Sequence, residues 1–324
     1  QLDRNDRIVT AGSCFSQRLG RALRAERFRV VDTEPVTNDP RDLGDQAAAY
    51  GYGLYSARYG NIYTVRQLRQ LLEEAHGLRE PADQVWEKDG RYFDALRPNI
   101  EPTGFDSATE VHKARKDHLE RVREAFAQAD VFIFTLGLTE AWVHKATGQV
   151  YPLAPGVLAG SYDPAQHVLA HFRLGQIKDD FEAVLAQLRS INPKLRTLLT
   201  VSPVPKTATA TGVHILAAST YTKSVLRACA GELYEDHPEL DYFPSYEMIV
   251  AAKARGRYYD DNLRTVSEAG VALVMRTFLQ AYGVKTQTTN VESLGANARK
   301  EARQLERKLA RKEARRLEKG KTSG

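Results

Sequence analysis

The feature that most constrains the fold is an uninterrupted apolar run, VFIFTL at 131–136, which ends at Gly137. Strands of a parallel sheet are covered on both faces, and a short apolar run that stops at a turn residue is typical of them. The segments IVTAG before Ser13 and LRTLLTV before Pro203 have the same character. Segments with apolar residues at helical spacing separate these runs. This alternation predicts an α/β fold with a central parallel sheet.

Capping signals place helices between the predicted strands. Thr64 is a candidate N-cap for one helix, and Ser107 is a candidate for a longer helix that leads into the 131–136 run. The next helical segment carries Ile177 and Phe181 on one face, at a spacing of four residues. In all, the patterns predict further helices at 174–193, 214–233 and 266–283, and further strands at 28–31 and 240–243.

The net charge of +5 comes from the end of the chain. Residues 299–321 hold 11 Lys or Arg and 4 acidic residues, a balance of +7, so the remaining residues carry −2. We expect one domain at 1–290 and a basic, helical or disordered tail at 291–324. Two interpretations of the tail stay open: a solvated helix, or weak contact with an acidic membrane or another polyanion.

Composition excludes several classes of protein. Two cysteines are too few for a disulfide framework, and no run reaches about 18 apolar residues, so we expect a cytoplasmic protein without a transmembrane helix. The phosphate-binding patterns GxxxxGK[ST] and GxGxxG are absent, and the HVLAH segment lacks the glutamate of a zinc protease. We therefore predict no metal, no cofactor and no sequence-specific nucleic-acid partner.

The ends of the predicted strands converge on one edge, where α/β sheets bind ligands. Gly12, Ser13 and Cys14 stand between the first strand and its helix. Gly12 suits a tight turn, and the positive end of a helix favours the thiolate of a cysteine. Two interpretations of Cys14 stay open at this point: a nucleophile, or a small buried hydrophobic residue. Ser13 is a candidate helix cap or anion contact.

Six blocks of the sequence resemble the GSCFA family and occur in the same order. They are DRIVTAGSCFS, GNIYTVRQLRQLL, FTLGLTEAW, TVSPVP, YTKSVLRA and YFPSYE, and they extend from about residue 6 to residue 278. The family is similar to the SGNH (GDSL-like) hydrolases. The resemblance therefore implies a three-layer α/β/α sandwich, with a nucleophile after the first strand, oxyanion donors in later blocks and a base near the C-terminus.

By position, the resemblance assigns the nucleophile to Cys14, or to Ser13 if the register differs. Gly60 and Asn61 correspond to the second block, and 137–140 to the third. The resemblance thus implies substrate or oxyanion contacts at Gly12, Gly60, Asn61, Gly137 and Thr139. Lys223 and Glu247 are further candidates for substrate contacts, and for Lys223 a solvated helix surface is the alternative. The sequence departs from the superfamily pattern at Thr265, where a histidine base is expected.

Nucleophilic catalysis pairs the thiol with a base, so a substitute for the missing histidine is needed. His214, which begins the 214–233 helix, is the first candidate, and Lys206 and Lys223 are substitutes. Glu140 or Glu247 is a candidate to orient the imidazole or to act as a general acid or base.

The resemblance implies ester chemistry on a carbohydrate, as a hydrolase or O-acyltransferase of a bacterial polysaccharide or its precursor. Its partners would then be carbohydrate or acyl-ester substrates. The missing histidine favours an alternative, a non-catalytic glycan-binding or scaffold protein with a degenerate hydrolase site. In either case we expect an aromatic lining for a sugar ring from Tyr52, Tyr55, Tyr59, Tyr63 and Trp142.

Overall fold

Four parallel strands form the central sheet of the computed structural model, which describes residues 2–254 and 256–283. The strands of the described chain are β1 (Ile8–Gly12), β2 (Val85–Lys88), β3 (Arg91–Asp94), β4 (Val131–Leu136), β5 (Glu140–His144), β6 (Val150–Tyr151), β7 (His167–His171), β8 (Arg196–Val201) and β9 (Leu240–Tyr242). The sheet order is β1-β4-β8-β9. Ile8 pairs with Val131, which in turn pairs with Arg196, so the first three strands start level. The predicted α/β class with a central parallel sheet is confirmed.

Helices cover both faces of this sheet. They are α1 (Cys14–Ala25), α2 (Val65–Ala75), α3 (Ala108–Gln128), α4 (Leu174–Ile191), α5 (Ile215–Asp236), α6 (Ser245–Val250) and α7 (Glu268–Ala281). Alternate strand residues point to opposite faces. Val9, Phe134 and Leu199 share one core cluster with apolar residues of α2 to α5, whereas α1 packs on β1 and β4 outside that cluster. The predicted layering of helix, sheet and helix follows from this alternation.

The capping predictions are confirmed, whereas one predicted strand is not. The Thr64 side chain accepts from the Gln67 N–H, and the Ser107 side chain accepts from the Glu110 N–H. The segment 28–31 forms only a single bridge, between Val30 and Ile8, rather than a strand. The sequence analysis also missed α6 and the β2–β3 hairpin, although Asp-Gly at 89–90 is a strong hairpin signal.

A second, antiparallel sheet extends from the end of β4. Its order is β6-β5-β7, and β5 begins at Glu140, four residues after β4 ends. The HVLAH segment forms β7, and in the described residues no group of three or more His, Cys, Asp or Glu is arranged to hold a metal ion. After β4 the chain passes through the three strands of this second sheet and then enters α4.

Contacts divide the chain into two units, Gln1–Phe278 and Leu279–Gly324. The described part of the second unit ends at residue 283. The predicted boundary between 290 and 291 and the basic segment 299–321 therefore lie outside the described residues. Among the helices that are described, none has the length and apolar character needed to cross a membrane.

Candidate active site

The turn between β1 and α1 presents Cys14 at the surface. Gly12 has a φ of +142°, and a Cβ there would lie 2.7 Å from the carbonyl oxygen of Thr135 on β4, so only glycine fits. Ser13 is the N-cap of α1, but its side chain makes no capping hydrogen bond. Ser13 is buried, whereas Cys14 is exposed. The accessible nucleophile candidate is therefore Cys14, at a helix end whose first N–H groups lack intrahelical partners.

Lys223 of α5 lies buried beside this turn. Its ammonium donates to the carbonyl oxygen of Gly137 at 3.0 Å. Gly137 lies close to the turn, because a Cβ added to it would be 3.5 Å from the Cβ and 3.6 Å from the Oγ of Ser13. Lys223, Gly137 and the Ser13–Cys14 turn thus form one contiguous group at the carboxyl ends of β1 and β4.

The environment of Lys223 shifts the pKa of its amine towards neutral pH. Burial lowers the pKa of Lys223 to about 7, the thiolate of Cys14 acts in the opposite direction, and the positive charge of Lys206 lowers the pKa further. An ammonium without a carboxylate partner is costly to bury, so the neutral amine is favoured. At neutral pH a large fraction of Lys223 is therefore able to accept a proton.

The segment 60–63 forms a wall of the site. The Ile62 N–H donates to the carbonyl oxygen of Gly12 at 2.9 Å, and the Leu138 N–H donates to that of Tyr63 at 2.8 Å. These two bonds fix the segment across the carboxyl ends of β1 and β4. Gly60 has a φ of +68°, which turns the chain into this wall. Asn61 is half-buried, and its side chain bonds the hydroxyl of Tyr63 rather than pointing into open solvent.

Glu140 is buried in an ion pair with Lys206. The hydroxyl of Thr209 also lies 3.0 Å and 3.2 Å from its two carboxylate oxygens. Glu140, in the third sequence block, therefore connects the start of β5 to the loop after β8. Its partners are Lys206 and Thr209 rather than His214, so its predicted role in orienting an imidazole stays a prediction.

Three other predicted residues have side chains that bond groups outside the Cys14 turn. His214 is exposed at the N-cap of α5, where its Nδ1 accepts from the Leu216 N–H, and it lies nine residues before Lys223, about 13 Å along the helix. Thr139 is fully buried, with its hydroxyl 2.9 Å from that of Thr222. Glu247 of α6 pairs with Arg227 and accepts from the hydroxyl of Tyr242. The catalytic and substrate roles of these three residues stay predictions.

In the C-terminal block, Thr265 occupies the position at which the sequence analysis expects a histidine base. The Thr265 hydroxyl accepts from the Asn262 side chain at 2.9 Å. The block is tied to α1, because Arg18 donates to the carbonyl oxygen of Val266. Arg264 is exposed and near enough to Tyr63 to lower its pKa, against the raising effects of burial and of Cys14. The block therefore contributes a positive charge to the surroundings of Tyr63 and has a threonine at the position where the sequence analysis expects a histidine.

The predicted aromatic lining is wrong for most of its members. Tyr55 and Tyr59 are core residues, each at most 3% exposed. Tyr52 donates to Asp39 and lines a separate cleft of about 450 Å³, and Trp142 packs edge-on against Tyr162 on the second sheet. Only Tyr63 is both partly exposed and adjacent to Cys14. The sequence analysis missed Gln17, which bonds Tyr55 and Asn61 and lies one helical turn after Ser13.

The fold and the site define an α/β protein with an exposed thiol at the turn after its first strand. The sequence model of the GSCFA family matches residues 7–278, and the chain belongs to this family. No curated protein matches the chain.

Solved structures that match this chain have low sequence identity to it and low TM-scores. One is described as a GDSL-like lipase, from Parabacteroides merdae: it is 15% identical, with 88% of this chain and 99% of that chain covered and a TM-score of 0.36. Another is a carbohydrate esterase of family 3 from Talaromyces cellulolyticus: it is 12% identical, with 69% and 93% covered and a TM-score of 0.28.

Proposed function

We propose that the protein catalyses acyl-ester chemistry, as a hydrolase or an O-acyltransferase, with Cys14 as nucleophile. The observation that carries this proposal is an exposed thiol at the first residue of α1 with the buried amine of Lys223 behind the same turn. A thiol needs an adjacent base to attack an ester at neutral pH. Lys223, rather than His214, has the burial and the position to act as that base.

The proposed reaction proceeds through a thioester. The neutral Lys223 amine takes the Cys14 proton, and the sulfur forms a bond to the acyl carbon while the carbonyl oxygen becomes an oxyanion. Collapse of this intermediate breaks the carbon–oxygen ester bond, and the Lys223 ammonium returns the proton to the departing alkoxide. Water or an acceptor hydroxyl then attacks the thioester carbon and gives its proton to Lys223. Collapse of this second intermediate breaks the carbon–sulfur bond, and the Lys223 ammonium returns the proton to the departing Cys14 thiolate.

The helix end favours the oxyanion of this reaction. The Ser16 N–H donates to the Ser13 carbonyl oxygen at 2.9 Å, whereas the N–H groups of Cys14 and Phe15, the first two of α1, have no intrahelical acceptor and the Ser13 side chain does not cap the helix. They carry partial positive charge next to the sulfur, where negative charge develops on the carbonyl oxygen. The same arrangement serves either acceptor, so hydrolysis and transfer share the first half of the reaction.

The acyl carrier in this proposal is a carbohydrate, specifically a bacterial polysaccharide or its precursor. This part rests on the resemblance of the sequence blocks to the GSCFA family. Thr265 supports a second candidate, a glycan-binding protein without turnover, because the residue at the position of the superfamily base has no basic group. Binding of acetylated glycan without release of acetate would favour this second candidate.

The test is the release of acetate or p-nitrophenol from acetylated polysaccharide and from p-nitrophenyl acetate. Cys14→Ala is expected to abolish release above the solution rate. Cys229→Ala is the matched control, because Cys229 is buried in α5 and burial raises its thiol pKa to about 12. Unchanged release by Cys14→Ala would exclude Cys14 as nucleophile. Addition of an unacetylated glycan then separates transfer from hydrolysis.

A further inference from the structure

A chain of hydrogen bonds with a defined direction runs from α1 to the hydroxyl of Tyr63. The Gln17 Nε2 donates to the Oδ1 of Asn61 at 3.1 Å, and the Tyr55 hydroxyl lies 2.5 Å from the same oxygen. On its other side, the Nδ2 of Asn61 lies 3.1 Å from the hydroxyl of Tyr63. The chain therefore connects the helix that carries Cys14 to the wall that faces it.

The donors and acceptors of this chain assign the protons. The Tyr55 hydroxyl lies 3.2 Å from the Ser13 carbonyl but 2.5 Å from Asn61, so its single proton goes to Asn61. The Oδ1 of Asn61 accepts from both Tyr55 and Gln17, which leaves its Nδ2 to donate to Tyr63. The Tyr63 oxygen is consequently an acceptor in the chain, and its own O–H is available to another group.

We propose that the Tyr63 hydroxyl donates to the oxyanion of the acyl intermediate on Cys14, and that Asn61 is a positioning residue that aims it. This inference rests on the proposed function, since it assigns an oxyanion donor for that reaction. The Tyr63 hydroxyl donates a hydrogen bond and keeps its proton. Its location fits this role, because the Leu138–Tyr63 and Ile62–Gly12 bonds hold the backbone of residues 62 and 63 beside the Cys14 turn, and Asn61 fixes the hydroxyl from its other side.

The protonation state of Tyr63 agrees with a donor role. Burial raises its pKa, Cys14 raises it further, and the bonds from Asn61 and the charge of Arg264 oppose this only in part. The phenol therefore remains protonated throughout the neutral range. The predicted donors Asn61 and Thr139 already have partners: one N–H of Asn61 bonds Tyr63 in this chain, and the Thr139 hydroxyl lies 2.9 Å from that of Thr222.

The experiment compares two reactions of the same thiol in the full chain. Acylation of Cys14 by p-nitrophenyl acetate forms an oxyanion, whereas alkylation by iodoacetamide does not, and intact-mass spectrometry measures both rates. Tyr63→Phe is expected to slow acylation about 100-fold and to leave alkylation unchanged. Tyr234→Phe is the matched control, because this tyrosine is 51% exposed on α5.

Asn61→Asp tests the positioning role. A carboxylate accepts but does not donate, so it draws the Tyr63 proton to itself, and acylation is expected to fall about as far as in Tyr63→Phe. The double variant is expected to be no slower than either single variant.

Three outcomes would overturn this inference, and the third would overturn the proposed function as well. Equal acylation of Tyr63→Phe and the wild-type protein would overturn the inference and leave the proposed function standing. An equal loss of acylation and alkylation would mean that Tyr63 only holds the site together, which also overturns it. A wild-type thiol that is alkylated but never acylated would overturn the proposed function itself, and the role of Tyr63 with it.

Discussion

Two regions of the molecule bury charged side chains, and they treat those charges differently. Beneath α3, cationic and acidic side chains pair with one another in a cluster that we call the ion-pair cluster. Its members are Glu34, Glu74, Asp94, Arg97, Arg115 and His118. At the Cys14 turn, in contrast, Lys223 is buried against a carbonyl oxygen, and within the described residues no carboxylate pairs with it.

In the ion-pair cluster each guanidinium is paired with a carboxylate, and among the described residues only the Nε2 of His118 lacks a hydrogen-bond partner within the cluster. The Nε of Arg97 donates to Asp94 at 2.6 Å, Arg115 binds Glu74, and the Nδ1 of His118 lies 2.6 Å from Glu34. A buried guanidinium paired with a carboxylate stays charged and fixes the packing around it, whereas burial lowers the pKa of the His118 imidazole to about 4 and keeps it neutral at pH 7. A buried charge without a carboxylate partner titrates towards neutrality instead, which is what a general base requires. The contrast distinguishes a structural use of buried charge from a chemical one.

The largest effect expected from breaking this contrast is on activity. Lys223→Met removes the base, and acylation of Cys14 at pH 7 is expected to fall about 10²- to 10⁴-fold. Lys178→Met, on the surface of α4, is the control. Retention of the wild-type rate in Lys223→Met, measured by intact mass, would show that Lys223 is not the base.

The same variant also tests the contrast through the pH dependence of the free energy of unfolding. The pKa of Lys223 is about 7 in the folded protein, compared with about 10.4 for an unperturbed lysine. The unfolded chain therefore binds more protons between these values, so the free energy of unfolding rises with pH from about 7 to 10. Lys223→Met is expected to lack this part of the rise, which urea unfolding at several pH values measures.

The next effect is on the ion-pair cluster. Arg115→Met leaves the buried carboxylate of Glu74 without its guanidinium, while Asp94 keeps that of Arg97, and the free energy of unfolding is expected to fall by about 3–5 kcal/mol. Arg121→Met breaks an exposed pair with Glu124 and is expected to cost about 0–1 kcal/mol. Urea unfolding measures both, and equal costs would contradict the distinction between buried and exposed pairs.

Acid should weaken the ion-pair cluster. Burial and Arg97 lower the pKa of His118 to about 4, although Glu34 acts in the opposite direction. The unfolded chain therefore takes up this proton first, and stability is expected to fall as the pH drops from about 6.5 to 4. His118→Gln is expected to flatten this slope, and exposed His112→Gln to preserve it. Thermal unfolding at stepped pH values tests the slope, and an unchanged slope in His118→Gln would contradict this assignment.

The smallest effect concerns Glu140. Glu140→Gln removes the counter-charge of Lys206, whose positive charge already lowers the pKa of Lys223. The acid limb of the pH–rate profile for acylation is therefore expected to move to lower pH. A limb that moves to higher pH would mean that Glu140 acts on the site in some other way.

Local patterns in the sequence were sufficient for the sheet and for the turn. The run at 131–136 and the caps Thr64 and Ser107 act over a few residues, and each forms the predicted element. The choice between His214 and Lys223 was beyond such patterns. It depends on the rotation of α5 against Gly137, a contact between residues 86 positions apart. The donor–acceptor direction of the hydrogen bonds through Asn61 likewise depends on residues from separate parts of the sequence.

The central claim is that the Cys14 thiol forms an acyl thioester, and the most direct measurement locates the acyl group. The full chain is treated with p-nitrophenyl acetate, quenched in acid and mapped by peptide mass spectrometry. The account predicts one acetyl group on Cys14, removed by neutral hydroxylamine, absent in Cys14→Ala and not found on Cys229. Acetylation confined to surface lysines, or none at all, would contradict it.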